Sequence, residues 1–232
     1  MDAFETRDTG KSRRLLGFLI PYSIAVLAAA LAVRLFGLPS LFRHGAPAEV
    51  LLHAGAGVIA GLIVVGSCVL LERYDWFLEM VRWIRIMVDE ALGRRVSRSD
   101  AALVALSSGL GEEALFRGAL QPGLILAFGL LLPEPWSGVL GLLATALIFG
   151  LIHAPLVRAL WPWTIFAFLM GLLFGGLVLA ADSLVPAIVA HVLINYVNLR
   201  RLRSVPIPDR GTGAGAHQEP DAEQADDALQ TA

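Results

Sequence analysis

Residues Leu15–Leu35 read LLGFLIPYSIAVLAAALAVRL, with a single charge, Arg34, near the far end. A helix needs about 20 mostly apolar residues to cross a hydrocarbon core of roughly 30 Å, so this run is long enough to span. Lys11, Arg13 and Arg14 precede it, as they would a secretory signal. A signal core, however, runs to roughly 7–15 residues. No small-residue cleavage pattern ushers in a soluble domain, so the run reads as a retained first span. Outward from it the pattern repeats. Val50–Leu71, VLLHAGAGVIAGLIVVGSCVLL, is a second span. Of the 232 residues, 56% are hydrophobic and 16% charged; soluble domains of this size run near a half and a quarter. The charges fall between long uncharged stretches, which points to an all-α, polytopic transmembrane helical bundle.

Between Glu72 and Asp100 lies a segment with six arginines, from Arg73 to Arg98. Within it Phe77, Val81, Ile84 and Val88 recur at helical spacing, the pattern of an interfacial amphipathic helix over Trp76–Val88. A third apolar region, Ala101–Leu132, would be roughly 48 Å long as one straight helix. Gln121-Pro122-Gly123 is expected to break it. Further spans are expected over Trp136–His153, Trp163–Ala180 and Leu184–Leu199, giving about six crossings. The expected organisation is a cytoplasmic N-terminus over 1–14, two spans and the amphipathic segment over 15–100, a core over 101–200 and a disordered cytoplasmic tail over 201–232. The acids Glu219 to Asp227 and the Pro/Gly-rich run before them lack apolar periodicity, as such a tail would. The lone cysteine, Cys68, excludes an intrachain disulfide.

Ionisable groups inside the apolar segments are few, and each costs several kcal/mol unless it faces a polar interior or a partner. The third region carries Gly111-Glu112-Glu113-Ala114-Leu115-Phe116-Arg117. Glu113 and Arg117 are spaced to meet on one helical face. Glu112 lies about 100° round the helix, so one arginine does not serve both acids equally. The fourth span ends Phe149-Gly150-Leu151-Ile152-His153, and the last carries His191-Val192-Leu193-Ile194-Asn195. A bland reading makes the acids and arginine a buried structural network, His153 a hydrogen-bonded interfacial histidine and Asn195 a helix-packing amide. Together, three helices offer what hydrolysis needs: a carboxylate to take a proton from water, histidines to bind metal or move protons, and an amide for an oxyanion. His53, set among Gly55, Gly57 and Gly61, reads as a packing or cavity group. His44, Arg158 and Asp182 fall near span ends and read as solvated.

Glu112-Glu113-x-x-x-Arg117, Phe149-x-x-x-His153 and His191-x-x-x-Asn195 resemble, in order and in helical setting, the three motifs of the CAAX-processing and bacteriocin-processing (CPBP, or Abi) family of intramembrane proteases. The resemblance covers roughly Ala101–Leu199. It implies an all-helical core with the site in a membrane-embedded cavity. By that analogy Glu112 activates water, His153 and His191 stand beside it, and Asn195 is the oxyanion donor. Glu113 and Arg117 orient the site, and Phe149 packs on it. Family members are classed as metalloproteases, while a glutamate-dependent mechanism without metal ligation has also been argued. Two histidines and a carboxylate (Glu112, His153, His191) suit an open catalytic site for zinc or another divalent metal, and the sequence leaves both mechanisms open. The resemblance implies a membrane-associated peptide or protein substrate, with lipid as the other partner and no nucleic acid.

Two other classes compete: a non-catalytic immunity or maturation factor of the same architecture, and a small transporter. Transporters usually carry repeated broken helices, and the sequence shows one break and no repeat. The basic clusters Lys11–Arg14, Arg73–Arg98 and Arg200–Arg203 fall on one side if Ala101–Leu132 crosses once. The positive-inside rule then places both termini in the cytoplasm of the inner membrane. Reporter fusions at Ala232 and near Glu134 should accordingly report opposite sides; the same side for both would refute the topology.

Overall fold

The structure, a computed structural model, describes residues 2–40, 45–93, 96–155 and 160–206, with side chains from Arg14 onward. It is all-α, and no strand occurs among the described residues. Helix α1 runs Asp2–Phe36, α2 Pro47–Leu71, α3 Asp75–Leu92 and α4 Arg98–Leu115. A π-helical turn, Phe116–Leu120, joins α4 to α5, Gln121–Gly129. Then come α6 Trp136–Ile152, α7 Trp161–Ala181 and α8 Val185–Leu202.

The helix starts follow local chemistry. Proline stands in the first turn of α2, α7 and α8, where its missing N–H goes unused and its fixed φ already suits a helix. Helix α4 opens on a capping box: Ser97 Oγ accepts from the Asp100 amide at 3.1 Å, and Asp100 accepts from the Ser97 amide at 2.8 Å.

Among the described residues, three helical stretches are long and apolar enough to cross a membrane: Arg14–Phe36, Pro47–Leu71 and Trp161–Ala181, with Trp136–Ile152 a shorter apolar helix. The protein is thus a multi-pass membrane protein. Helices α4 and α8 are less apolar because they carry polar groups: Arg98, Asp100, Glu112 and Glu113 on one, His191, Asn195, Asn198, Arg200 and Arg201 on the other. Leu16, Ile20, Ile24, Leu27, Leu31 and Leu35 stand exposed along α1, as side chains facing lipid would.

Three expectations shift. Gln121-Pro122-Gly123 does not break the long helix. Pro122 has no N–H to donate, and the helix widens just before it, the Gln121 amide reaching back to Phe116 O across a π turn. The amphipathic helix is longer than expected, Asp75–Leu92, and partly buried. The segment from 201 is not yet tail. Leu202 and Val205 are buried, Arg85 donates to the Val205 carbonyl, and Arg203 Nη1 donates to Val96 O at 3.0 Å. Those contacts hold the chain as far as 206. The acidic stretch beyond, together with His44 and Arg158, lies outside the described residues.

The most extensive helix contacts are α2 with α8, α6 with α7 and α1 with α4. The principal core joins Val64 and Cys68 of α2, Phe77 and Met80 of α3, Phe174 and Val178 of α7, and Ala190 and Ile194 of α8. Close approach of α2 to α8 depends on Gly57, where an added Cβ would stand 2.5 Å from the Pro186 carbonyl oxygen. Gly55, two residues away, has nothing within 4 Å of an added Cβ. Gly57→Ala should therefore destabilise the bundle by about 1–3 kcal/mol, while Gly55→Ala leaves it unchanged or slightly steadier. Thermal unfolding in detergent of the two variants, side by side, reads the difference.

Candidate active site

Glu113, on the last turn of α4, is fully buried, and so is Arg117 in the π turn. Arg117 Nη1 donates to Glu113 Oε1 at 3.1 Å, and its Nη2 donates to Gly171 O of α7 at 3.2 Å. The guanidinium lies 4.5 Å from the centre of the Phe149 ring and 5.5 Å from that of Phe174, which offers a desolvated cation aromatic faces. One turn on, Gln121 Nε2 donates to Gly175 O at 3.2 Å. Glu113, Arg117 and Gln121 thus form a polar ladder that ties α4 and its continuation to α7.

Glu113 Oε1 also accepts from His191 Nδ1 at 2.7 Å. A carboxylate paired with arginine is an acceptor, so His191 donates from Nδ1, and in the neutral ring Nε2 carries the lone pair. The His191 ring stacks on Phe174, centroids 4.9 Å apart and planes 19° apart. His153 Nδ1 is 2.7 Å from Phe149 O. A carbonyl can only accept, so His153 is likewise protonated at Nδ1. Both free Nε2 atoms face Glu112: Oε2 lies 3.8 Å from His153 Nε2 and 3.9 Å from His191 Nε2. Unlike Glu113, Glu112 keeps 15% of its side chain exposed. These spacings exceed a direct hydrogen bond and leave room for a water bridging Glu112 to either histidine.

Asn195 Nδ2 donates to Ser108 Oγ at 2.9 Å, and Ser108 passes its own proton to Ala105 O at 3.3 Å. That relay fixes which end of the Asn195 amide is nitrogen. Glu112, His153, His191 and Asn195 all line one cavity of about 310 Å³ with Ser108 and Tyr22, and Phe149 forms part of its wall.

A tetrahedral zinc ion needs its donors close together. Metal–ligand bonds of about 2.0–2.2 Å put neighbouring donors of a tetrahedral site roughly 3.4 Å apart. The separations of 3.8 and 3.9 Å are wider, and among the described residues no group of His, Cys, Asp or Glu is arranged to hold a metal ion. The zinc site that the sequence allowed does not fit this arrangement.

Sequence reading passed over three groups. Ser108 lies one turn before Glu112, and that spacing could have exposed it. Gln121 continues the Glu113–Arg117 spacing by another turn, but its Pro-Gly context read as a break. Tyr22, a polar residue in the first apolar run, lies against Glu112 with its hydroxyl. It comes that close because of Gly111, where an added Cβ would stand 2.7 Å from Tyr22 Cβ. His53, by contrast, is not among the residues lining the cavity.

Residues 97–197 match the protein family described as Rce1-like, type II CAAX prenyl endopeptidase. That match, to a CPBP family domain, spans residues 97–197 and so less than half of the 232-residue chain. No curated protein and no solved structure matches the chain.

Removing one partner from a buried ion pair costs about 3–5 kcal/mol, because the other charge is left stranded. Glu113→Ala strands Arg117 and should sharply lower the yield and melting temperature of folded protein. Glu112→Gln, a neutral isostere at a partly exposed position, should leave both near the parent values. Size-exclusion recovery and thermal unfolding in detergent check the contrast; equal losses would make Glu112 part of the structural network.

Proposed function

We propose that the protein is an intramembrane endopeptidase that hydrolyses a peptide bond of a membrane-associated protein or peptide with water activated by Glu112. The observation that carries this reading is the convergence of the Glu112 carboxylate and two histidine Nε2 atoms, each about 4 Å from it, on one cavity beside an oriented amide. The match to a CAAX prenyl endopeptidase family over residues 97–197 supports it independently.

Water seated between Glu112 and the two histidines has its protons directed at acceptors. Glu112 takes one as the oxygen attacks the substrate carbonyl, then delivers it to the departing amine. The second hydrogen bond, to a histidine Nε2, turns the water's remaining lone pair toward the carbonyl. Oxyanion charge develops on the carbonyl oxygen. The second N–H of Asn195, left over from its bond to Ser108, is the donor that meets it. Glu113 and Arg117 touch no substrate. They lock the His191 tautomer and keep its Nε2 turned inward. Six crossings, with the α4–α5 helix and α8 among them, and cytoplasmic termini complete the proposed arrangement.

Glu112→Gln should abolish cleavage of a membrane-anchored peptide while still binding it. Asn195→Ala should lower kcat roughly 10²–10³-fold with little change in KM, since an oxyanion donor acts only in the transition state. Ser108→Ala should move kcat in the same direction by less. Binding without Glu112-dependent cleavage of any peptide would refute the enzyme and leave a non-catalytic peptide-binding protein.

A further inference from the structure

The groups given roles in the reaction all come from residues 97–197, yet α1 supplies part of the cavity wall, and one polar side chain enters from there. Tyr22 ends the run Gly17-Phe18-Leu19-Ile20-Pro21-Tyr22. It is half-buried and lines the cavity together with Glu112. Packing alone does not call for tyrosine at this place. Phenylalanine would fill the same space, as Phe18 does one turn earlier with its ring centroid 5.5 Å away. A phenolic hydroxyl in an apolar span, by contrast, has to find a partner. Here the partner is the Glu112 carboxylate, to which the Tyr22 hydroxyl hydrogen-bonds. A carboxylate only accepts, so Tyr22 is the donor.

The backbone brings the two side chains together. Gly111 precedes Glu112, and a Cβ added there would stand 2.7 Å from Tyr22 Cβ and 3.0 Å from its Cα. Helix α1 therefore meets α4 at the residue before Glu112, at a distance that only glycine allows. From that fixed root the tyrosine ring carries its hydroxyl through fewer rotatable bonds than a glutamate has before its carboxylate. The stiffer group holds the freer one.

We infer that Tyr22 is a positioning residue for Glu112. Its hydroxyl keeps the carboxylate turned toward the His153 and His191 Nε2 atoms, which lie 3.8 and 3.9 Å from Oε2. The consequence for catalysis rests on the endopeptidase reading. Tyr22 touches no substrate and keeps its proton throughout. A carboxylate has about four lone-pair sites, so this bond leaves others for the attacking water.

The test uses full-length protein in detergent and a lipid-anchored fluorogenic peptide that the parent cleaves. Tyr22→Phe should lower kcat per folded protein roughly 10–100-fold, the order of loss for a catalytic group misplaced by about 1 Å. KM should stay within about twofold, because the bond orients the base rather than the substrate. The melting temperature should stay near that of the parent, since the ring is kept. A second readout needs no turnover and no loss of the hydroxyl. With 3-fluorotyrosine at position 22, Glu112→Gln should shift the fluorine resonance, and Glu72→Gln, elsewhere along the same cavity, should shift it less. An unchanged kcat in folded Tyr22→Phe, or a fluorine resonance indifferent to Glu112→Gln, overturns the inference while the endopeptidase reading stands. Absence of any Glu112-dependent cleavage by the parent refutes that reading, and with it the catalytic role of Tyr22.

Discussion

The bundle depends on one oxygen atom. Glu113 Oε1 accepts from Arg117 on its own helix and from His191 on α8, and neither charge of the buried pair has water at hand. In hydrocarbon an unpaired ion is expensive enough that the three elements bearing these groups have to meet. Arg117 then reaches α7 through the Gly171 carbonyl. A single electrostatic requirement thereby sets the relative placement of α4, α7 and α8. The site inherits its precision from that placement, because the proton that Glu113 holds on His191 Nδ1 is what turns Nε2 toward Glu112.

The interior is correspondingly inverted relative to a soluble protein. Arg117, Gln121 and Glu113 are among the largest fully buried side chains, while leucines and isoleucines of α1 and α2 stand on the outside. Two adjacent glutamates divide the work by their orientation alone. One points into the bundle, where its Oε1 holds both Arg117 and His191; the other retains access to the cavity.

Much of this was legible because the membrane makes polar residues conspicuous. Glu113 and Arg117 announced their pairing by spacing, and His191 and Asn195 by sharing a face of α8. The apolar runs marked the helices to within a few residues. What spacing could not convey was partnership between helices. That Glu113 serves His191, that Ser108 orients Asn195, and that Tyr22 leans on Glu112 are contacts between distant parts of the chain. Gln121 was misread for a different reason. Proline and glycine beside it usually end a helix, but a π turn absorbs the missing donor and lets the helix go on. The end of α8 was placed early because Leu202 and Val205 are isolated apolar residues among arginines, with no periodicity to betray their burial.

The cavity draws its two halves from different parts of the chain. Glu112, His153, His191 and Asn195 lie within residues 97–197, whereas Phe18 and Tyr22 of α1, Cys68 and Glu72 of α2, and the run from Phe77 to Val88 on α3 come from before that segment. Chemistry and enclosure therefore answer to separate stretches of gene. Mutation can reshape the apolar wall of α3, or exchange a methionine there for something bulkier, without replacing any of those four side chains.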